Sequence, residues 1–526
     1  MQTTARKYPV GIQTFSEIRK GDYVYIDKTD LVWEMTRMKY VFLSRPRRFG
    51  KSLLTTTLDS YFQGRKDLFE GLKIMDLETE WEQYPVIHID LSLAKNQRSA
   101  EMLQNTLINL MEPFVEEYGK TDTELLPGQQ LRGVIRRAYE RTGKQVAVVI
   151  DEYDAPLLEV LHEEEQLPGF RRVMQEFYQP LKASEAMIRF CFITGITKFS
   201  QLSIFSTINN LTNISMDRKY SAICGITEDE FATDMAPDIA MLAEEYECTP
   251  EEMRAKLKQQ YDGYRFSEDS PDVYNPFSLM KCFLQRKMAN YWFESGTPTF
   301  LIRQMQYYRT DVTTMERIEA RASAFDQPTE NMEDALPLLY QSGYITIKDY
   351  DRESDTYILA IPNKEVRTGF VSGLVPAYTG LKRNDTEGFA LRFWRALKKD
   401  DIAAAMEEMK AFLAGIPYVE GFQKKLEAVK NYEGFYEYTF WLVFNMLNIY
   451  ARTQVKCARG RIDFVVQMPE TTYVFELKVN GTAREALDQI NGKGYALPYQ
   501  TEGKAVVKVG VQFDRDTMTV GEYIIA

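Results

Sequence analysis

From residue 40 to residue 200 the chain alternates unbroken apolar runs with amphipathic stretches, and this rhythm limits its folds more than any other feature. The runs are YVFLS (40–44), PVIHIDLS (85–92), KQVAVVIDEYD (144–154) and IRFCFITGITKFS (188–200). They are rich in Val and Ile without strict alternation, the pattern of parallel strands covered on both faces by helices. Helices are expected from Gly50 to about Phe62, around 100–118, and from about Gly169 to Glu185. Residues 1–226 are therefore predicted to form one α/β domain.

The remainder changes character. Helical periodicity and aromatic motifs (YDGYRF, YNPFSLM, YWFESG) predict a helical lid over 227–330. Helix, strand, charged turn, strand and helix follow over 331–378, a winged-helix-like module. A charged helical linker spans 379–430, and residues 431–526 read as a separate α+β domain. At 526 residues the chain exceeds what one core supports, so several domains are expected.

Composition narrows the chemistry. The five cysteines lie far apart without a CxxC pair, which argues against a zinc ribbon or a disulfide framework. Only His88 and His162 are present, so a histidine base or a His-rich metal centre has little material, and carboxylates and lysines must carry any catalysis. A net charge of −12 excludes a uniformly basic coat and leaves polyanion contact to a local patch. No apolar stretch reaches membrane-spanning length and the first residues lack a secretory signal, so a cytoplasmic protein with no membrane partner is expected.

FLSRPRRFGKSLL (42–54) follows an apolar strand and begins a helix. Gly50, Lys51 and Ser52 have the phosphate-facing end of a GxxxxGK[ST] loop, in which backbone N–H groups, a lysine and a hydroxyl converge on an anion and its metal. Arg45 stands where the first glycine is usual, so the loop must open with a different shape, helped by the fixed φ of Pro46. Arg45, Arg47 and Arg48 are candidates to add charge near the phosphates. VAVVIDE supplies a strand ending in Asp151, suited to Mg²⁺, and Glu152, suited to polarising water, with Asp154 as the next candidate. Alone, GKS reads as a helix start with a solvated lysine; the ordered pair within a βα pattern points to ATP and Mg²⁺. Thr194 and Thr197 fit a γ-phosphate sensor weakly, and Arg218 is a guess for an arginine finger.

Near the end of the chain, GRIDFVV and FELKV bring Asp463, Glu476 and Lys478 into consideration. Alternation along a strand puts Glu476 and Lys478 on one face, and a hairpin pairing 461–467 with 472–478 sets Asp463 beside them. Two carboxylates for a hard cation and a lysine for the nucleophile are the layout of a metal-dependent nuclease. Glu433 is a candidate additional carboxylate, and Gln489 could orient water or substrate. The pattern is common on exposed strands; its apolar setting raises its weight, because buried charge is costly.

RPRRFGKSLL, DEYDAPLL, FITGITKFS, NNLTNISMD, YDGYRF, YNPFSL, LLYQSGYITI and GRIDFVVQ…FELKVNGTAREALDQI…GYALPY together resemble the bacterial AAA-ATPase-like family that ends in a PD-(D/E)xK nuclease-superfamily domain. The resemblance covers nearly the whole chain, and in that family the arginine-opened loop recurs. It implies a P-loop (AAA/STAND-like) ATPase core, ATP and Mg²⁺ at Lys51, Ser52, Asp151 and Glu152, and a nuclease-type site at Glu433, Asp463, Glu476 and Lys478. Nucleic acid, DNA first, is the expected partner, and a homo-oligomer stays open. The alternative is a STAND-type nucleotide switch whose nuclease fold binds without cutting.

Overall fold

The computed structural model describes residues 6–158, 160–161, 163, 165–198, 210–295, 299–308, 310, 312–328, 332–379, 383–415, 450–457, 460–479, 481–500, 503–514 and 519–526. It divides into two compact units. The first holds residues 1–292, 303–310 and 317–363, and the second 293–302, 311–316 and 364–526.

The first unit is built on a parallel sheet in the order β2-β3-β4-β1-β5. Its strands are β1 (Tyr40–Ser44), β2 (Val86–Asp90), β3 (Val146–Asp151), β4 (Ile188–Gly195) and β5 (Thr212–Asn213). Every residue of β1 and β3 is buried, as their unalternated apolar sequence requires. One face packs on the helices Ala100–Tyr118, Pro127–Thr142 and Leu167–Ala183 through a core that includes Leu107, Met111, Val134, Ile135, Phe177 and Leu181. On the other face Phe62, from the helix Lys51–Phe62, stacks on Phe190. Pairing of Ser44 with Gly195 and of Asp90 with Asp151 aligns the strands' carboxyl ends along one edge.

Helices Glu228–Asp234, Ala236–Glu245, Pro250–Tyr261 and Pro276–Gln285 follow. Capping boxes, Thr227 with Glu230 and Thr249 with Glu252, start two of them, and prolines in the first turn start others. They share a core with Tyr8 and Val24 from the start of the chain. Two short pairings complete this unit: β6 (Ile226–Thr227) with β7 (Val273–Tyr274), and a small sheet of β8 (Ile318–Ala320), β10 (Thr356–Ala360) and β9 (Thr346–Asp351). The stretch 331–378 is shared between units. Helix Leu336–Gln341 and strands β9 and β10 lie in the first, and helix Lys364–Thr379 in the second.

The second unit carries a sheet in sequence order: β11 (Tyr450–Cys457), β12 (Gly460–Gln467), β13 (Thr471–Lys478), β14 (Ala505–Asp514) and β15 (Thr519–Ile525). All neighbours are antiparallel except β13 and β14, which are parallel and joined through helix Ala483–Lys493. That helix opens with a capping box of Thr482 and Glu485 and ends at left-handed Gly494. It lies so close to β14 that a Cβ at Gly510 would sit 2.3 Å from the Ala483 carbonyl. Helices Arg383–Lys398 and Ile402–Ala414 belong to the same unit. Asp400 between them accepts hydrogen bonds from the hydroxyls of Thr471 (2.9 Å) and Tyr473 (3.1 Å). Thr519 donates to the Lys410 carbonyl (2.8 Å) and Tyr523 to Glu407 (2.9 Å). Among the described residues no helix is long and apolar enough to cross a membrane.

Candidate functional site

In the first unit a cavity of about 610 Å³ receives both the loop after β1 and the end of β3. That volume falls in the range of small-molecule sites, and crevices outside the carboxyl ends of parallel strands are where such sites form. Arg47 to Leu54, Lys95 and Glu152 form part of the wall; Pro9 to Gln13, Val24 to Ile26, Lys28, Val32, Thr57, Ile223 to Ile226, Pro276, Phe277 and Met280 form the rest.

Gly50 caps the helix Lys51–Phe62 in the left-handed region (φ 89°), with open space where a side chain would be. Helix N–H groups therefore face the cavity unobstructed. Lys51 is buried and donates to the carbonyls of Arg45 and Pro46, both at 2.9 Å. Burial pulls its pKa down, while Asp151, Glu152 and Asp154 oppose that pull. Asp151 is buried, accepts from the Glu152 N–H at 2.8 Å and from the Thr55 hydroxyl at 3.5 Å, and lies near the Ser52 hydroxyl. Burial raises its pKa; the Ser52 hydroxyl and Lys51 lower it. A strand-end carboxylate near the first helical hydroxyl is a donor set suited to one hard cation, with phosphate oxygens completing it. Glu152 (φ 49°) lines the cavity and forms an ion pair with Lys95.

Arg45 departs from the expectation that it adds charge beside the phosphates. Its guanidinium is fully buried away from the cavity lining and donates to the carbonyls of Ser44 (2.9 Å), Ser215 (2.7 Å), Tyr220 (3.1 Å) and Ser221 (3.5 Å). It stacks 4.1 Å from the centre of Phe266, and burial pushes its pKa down to about 10. The left-handed residues of this loop are Arg48 (φ 67°) and Gly50, so position 45 has no need of glycine. Arg48 does line the cavity, and it also donates to the Tyr291 carbonyl at 2.5 Å.

The sensor candidates are likewise engaged in structure. Thr194 donates to the Leu43 carbonyl (2.7 Å), and Thr197 donates to Asp154 (2.7 Å). Asp154 also accepts the N–H groups of Ile196 (3.1 Å) and Thr197 (2.7 Å), so it fastens the turn after β4 and does not face the cavity. Arg218 is exposed, in a short turn outside the lining. Sequence reasoning missed Lys28, Lys95 and the Pro9–Gln13 wall. Lys95 follows β2 after a single short turn, Leu91–Ala94, a signal that was readable; the wall is distant in sequence and was not.

In the second unit the β12–β13 ladder runs from Gln467↔Thr472 to Phe464↔Phe475. One residue further, the Asp463 carboxylate takes the Leu477 N–H at 2.8 Å. Glu476 is buried, 2 % exposed. Its Oε1 accepts from Lys478 Nζ at 3.2 Å and from Gln489 Nε2, while Oε2 has no hydrogen-bond partner among the described residues. Burial first, and then the charge of Asp463, push the Glu476 pKa up to about 7. Asp463, Glu476, Lys478 and Gln489 thus meet at one place. Glu433 lies outside the described residues. Among those residues no three His, Cys, Asp or Glu side chains converge as a ready cation cage. A buried carboxylate oxygen without a partner, beside a second carboxylate, is nevertheless costly unless a cation or proton meets it, and it fits a divalent ion.

Comparison with known proteins gives these sites a family. Residues 9–205 match the family model described as a predicted AAA-ATPase, and residues 431–523 match the PD-(D/E)XK nuclease superfamily. Across 533 aligned residues the chain is 33% identical to the "Uncharacterized protein in vnfD 5'region" of Azotobacter chroococcum mcd 1, with 99% of each chain covered.

Proposed function

Since the chain belongs to the predicted AAA-ATPase family and ends in a PD-(D/E)XK nuclease-superfamily domain, we propose that it binds and hydrolyses ATP in the first unit and cleaves nucleic acid, DNA first, with a divalent cation in the second. The observation that carries the second half is the Oε2 of buried Glu476, without a hydrogen-bond partner among the described residues and set beside Asp463, Lys478 and Gln489.

In the first unit Lys51 and the free N–H groups after Gly50 receive the phosphates. Ser52 and Asp151 would hold Mg²⁺, which when bound would offset phosphate charge, and Glu152 takes a proton from water once Lys95 no longer neutralises it. The apolar wall of Val10, Ile12, Ile226 and Phe277 suits a planar base, and the helices from Glu228 to Gln285 serve as its lid. β9 and β10 act as a wing towards nucleic acid. In the second unit Asp463 and Glu476 would hold the cation, which when bound offsets the charge growing on a scissile phosphate. Gln489 fixes the rotamer of Glu476. Lys478, beside the same carboxylate, holds the attacking water by its ammonium group and stabilises negative charge without histidine.

The test is plasmid cleavage with Mg²⁺ or Mn²⁺, with and without ATP, by wild type, Asp463→Asn and Lys478→Met. Cleavage by wild type alone supports the proposal. No cleavage with any metal, together with equal DNA affinity for all three proteins, supports a nucleotide switch that only binds.

A further inference from the structure

The middle of the loop before Gly50 is enclosed by three later stretches of the first unit, at Tyr264, Phe277 and Tyr291–Trp292. Trp292 Nε1 donates to the Arg47 carbonyl at 3.4 Å, and Arg48 Nη1 donates to the Tyr291 carbonyl at 2.5 Å. The Arg48 guanidinium lies 4.1 Å from the centre of Phe277, and Phe49 meets Tyr264 edge-on at 4.7 Å. Arg48 also lines the cavity and holds a left-handed φ, a conformation that surrounding structure must maintain. Its guanidinium therefore has the Tyr291 carbonyl on hand and the site of a polyanion within reach. A phosphate offers the guanidinium a full opposite charge and two oxygens in fork geometry, where a carbonyl offers one neutral acceptor, so phosphate outcompetes a carbonyl for this group. Tyr291 and Trp292 are the last residues before the chain first leaves the unit. Phe293 begins the second unit, where its ring lies against Gly369; a Cβ there would sit 2.0 Å from it.

We propose that Arg48, Tyr291 and Trp292 form a nucleotide sensor: phosphate draws Arg48 from the Tyr291 carbonyl, and the change passes through the 292–293 junction to helix Lys364–Thr379. This rests on the nucleotide site proposed above and adds its means of regulation. The test is hydrogen exchange on the full chain, with Mg²⁺ and a non-hydrolysable ATP analogue, paired with calorimetry. In wild type, exchange in helix Lys364–Thr379 should change on binding. Trp292→Phe keeps the ring beside Tyr344 but removes the donor; it should bind the analogue within about threefold of wild type and lose that change. Arg48→Ala, at saturating analogue, should lose it too, which serves if Trp292→Phe does not fold. Binding by wild type without any change in that helix, or a change that persists in both variants, overturns the sensor alone. No binding by wild type overturns the nucleotide site and the sensor with it.

Discussion

The two sites treat their buried charges in opposite ways. At and behind the cavity of the first unit most buried charged groups are already met by protein: Lys51 by two carbonyls, Arg45 by four although its Nε has no hydrogen-bond partner among the described residues, Glu152 by the Lys95 ammonium, and Asp154 by the turn after β4. In the second unit Glu476 keeps one buried oxygen with no hydrogen-bond partner among the described residues. A self-satisfied site is stable before its ligand arrives and must exchange partners to bind. A site with an unmet carboxylate binds its cation by filling a deficit. The first arrangement suits a switch, and the second suits a fixed catalytic centre.

Asp463→Asn should break this contrast most strongly. The amide oxygen can still accept from the Leu477 N–H, so the fold should survive by circular dichroism, while cation-dependent cleavage falls by about a thousandfold or more. Wild-type rates in this variant would remove Asp463 from the chemistry. Lys51→Ala comes next, with ATP affinity reduced about a hundredfold, or about 2.7 kcal/mol by calorimetry. Equal affinities would show that the loop is not the phosphate site. Glu152→Gln should retain ATP yet hydrolyse it about tenfold more slowly, near 1.4 kcal/mol in the barrier. An unchanged steady-state rate would assign the base elsewhere, and Asp154, which is already engaged, is a poor substitute.

The smallest effect concerns pH. Glu476 has its pKa raised to about 7, so protons compete with the cation below that value and cease to compete above it. Mn²⁺ affinity at this site should fall about threefold between about pH 7.5 and about pH 6.5, and Glu476→Gln should flatten the profile. A flat profile in wild type would mean that Glu476 does not bind the cation.

The parts of this organisation set by local pattern were legible in the chain. Unalternated Val/Ile runs marked β1, β3 and β4, and the period of two along FELKV placed Glu476 and Lys478 on one side of β13. What depended on distant partners was not. Arg45 offers the same guanidinium to a phosphate or to four carbonyls, and the choice is made by Ser215, Tyr220 and Ser221, some 170 residues away. The apolar half of the cavity is assembled from residues 9–13 and 223–226, which carry no motif of their own, and from Pro276, Phe277 and Met280, whose YNPFSLM motif reads as part of the lid and says nothing of a cavity wall. Thr194 and Thr197 ended a strand as a sensor would, yet threonine hydroxyls are equally suited to structural bonds: here Thr194 ties β4 to the Leu43 carbonyl of β1 and Thr197 ties the turn through Asp154.

The bonds that Asp400, Glu407 and Lys410 make to β13 and β15 bear on how the protein can be dissected. The match to the nuclease superfamily begins at residue 431, but those bonds place the edge of the cooperative folding unit upstream of it, within the helices of 383–414. A fragment cut at the sequence-family border would leave Thr471, Tyr473 and Thr519 without their acceptors and bare the sheet beneath Val520. Homology and autonomy therefore have different boundaries in this chain, and a fragment begun at residue 364 should unfold in a sharper urea transition than one begun at residue 431.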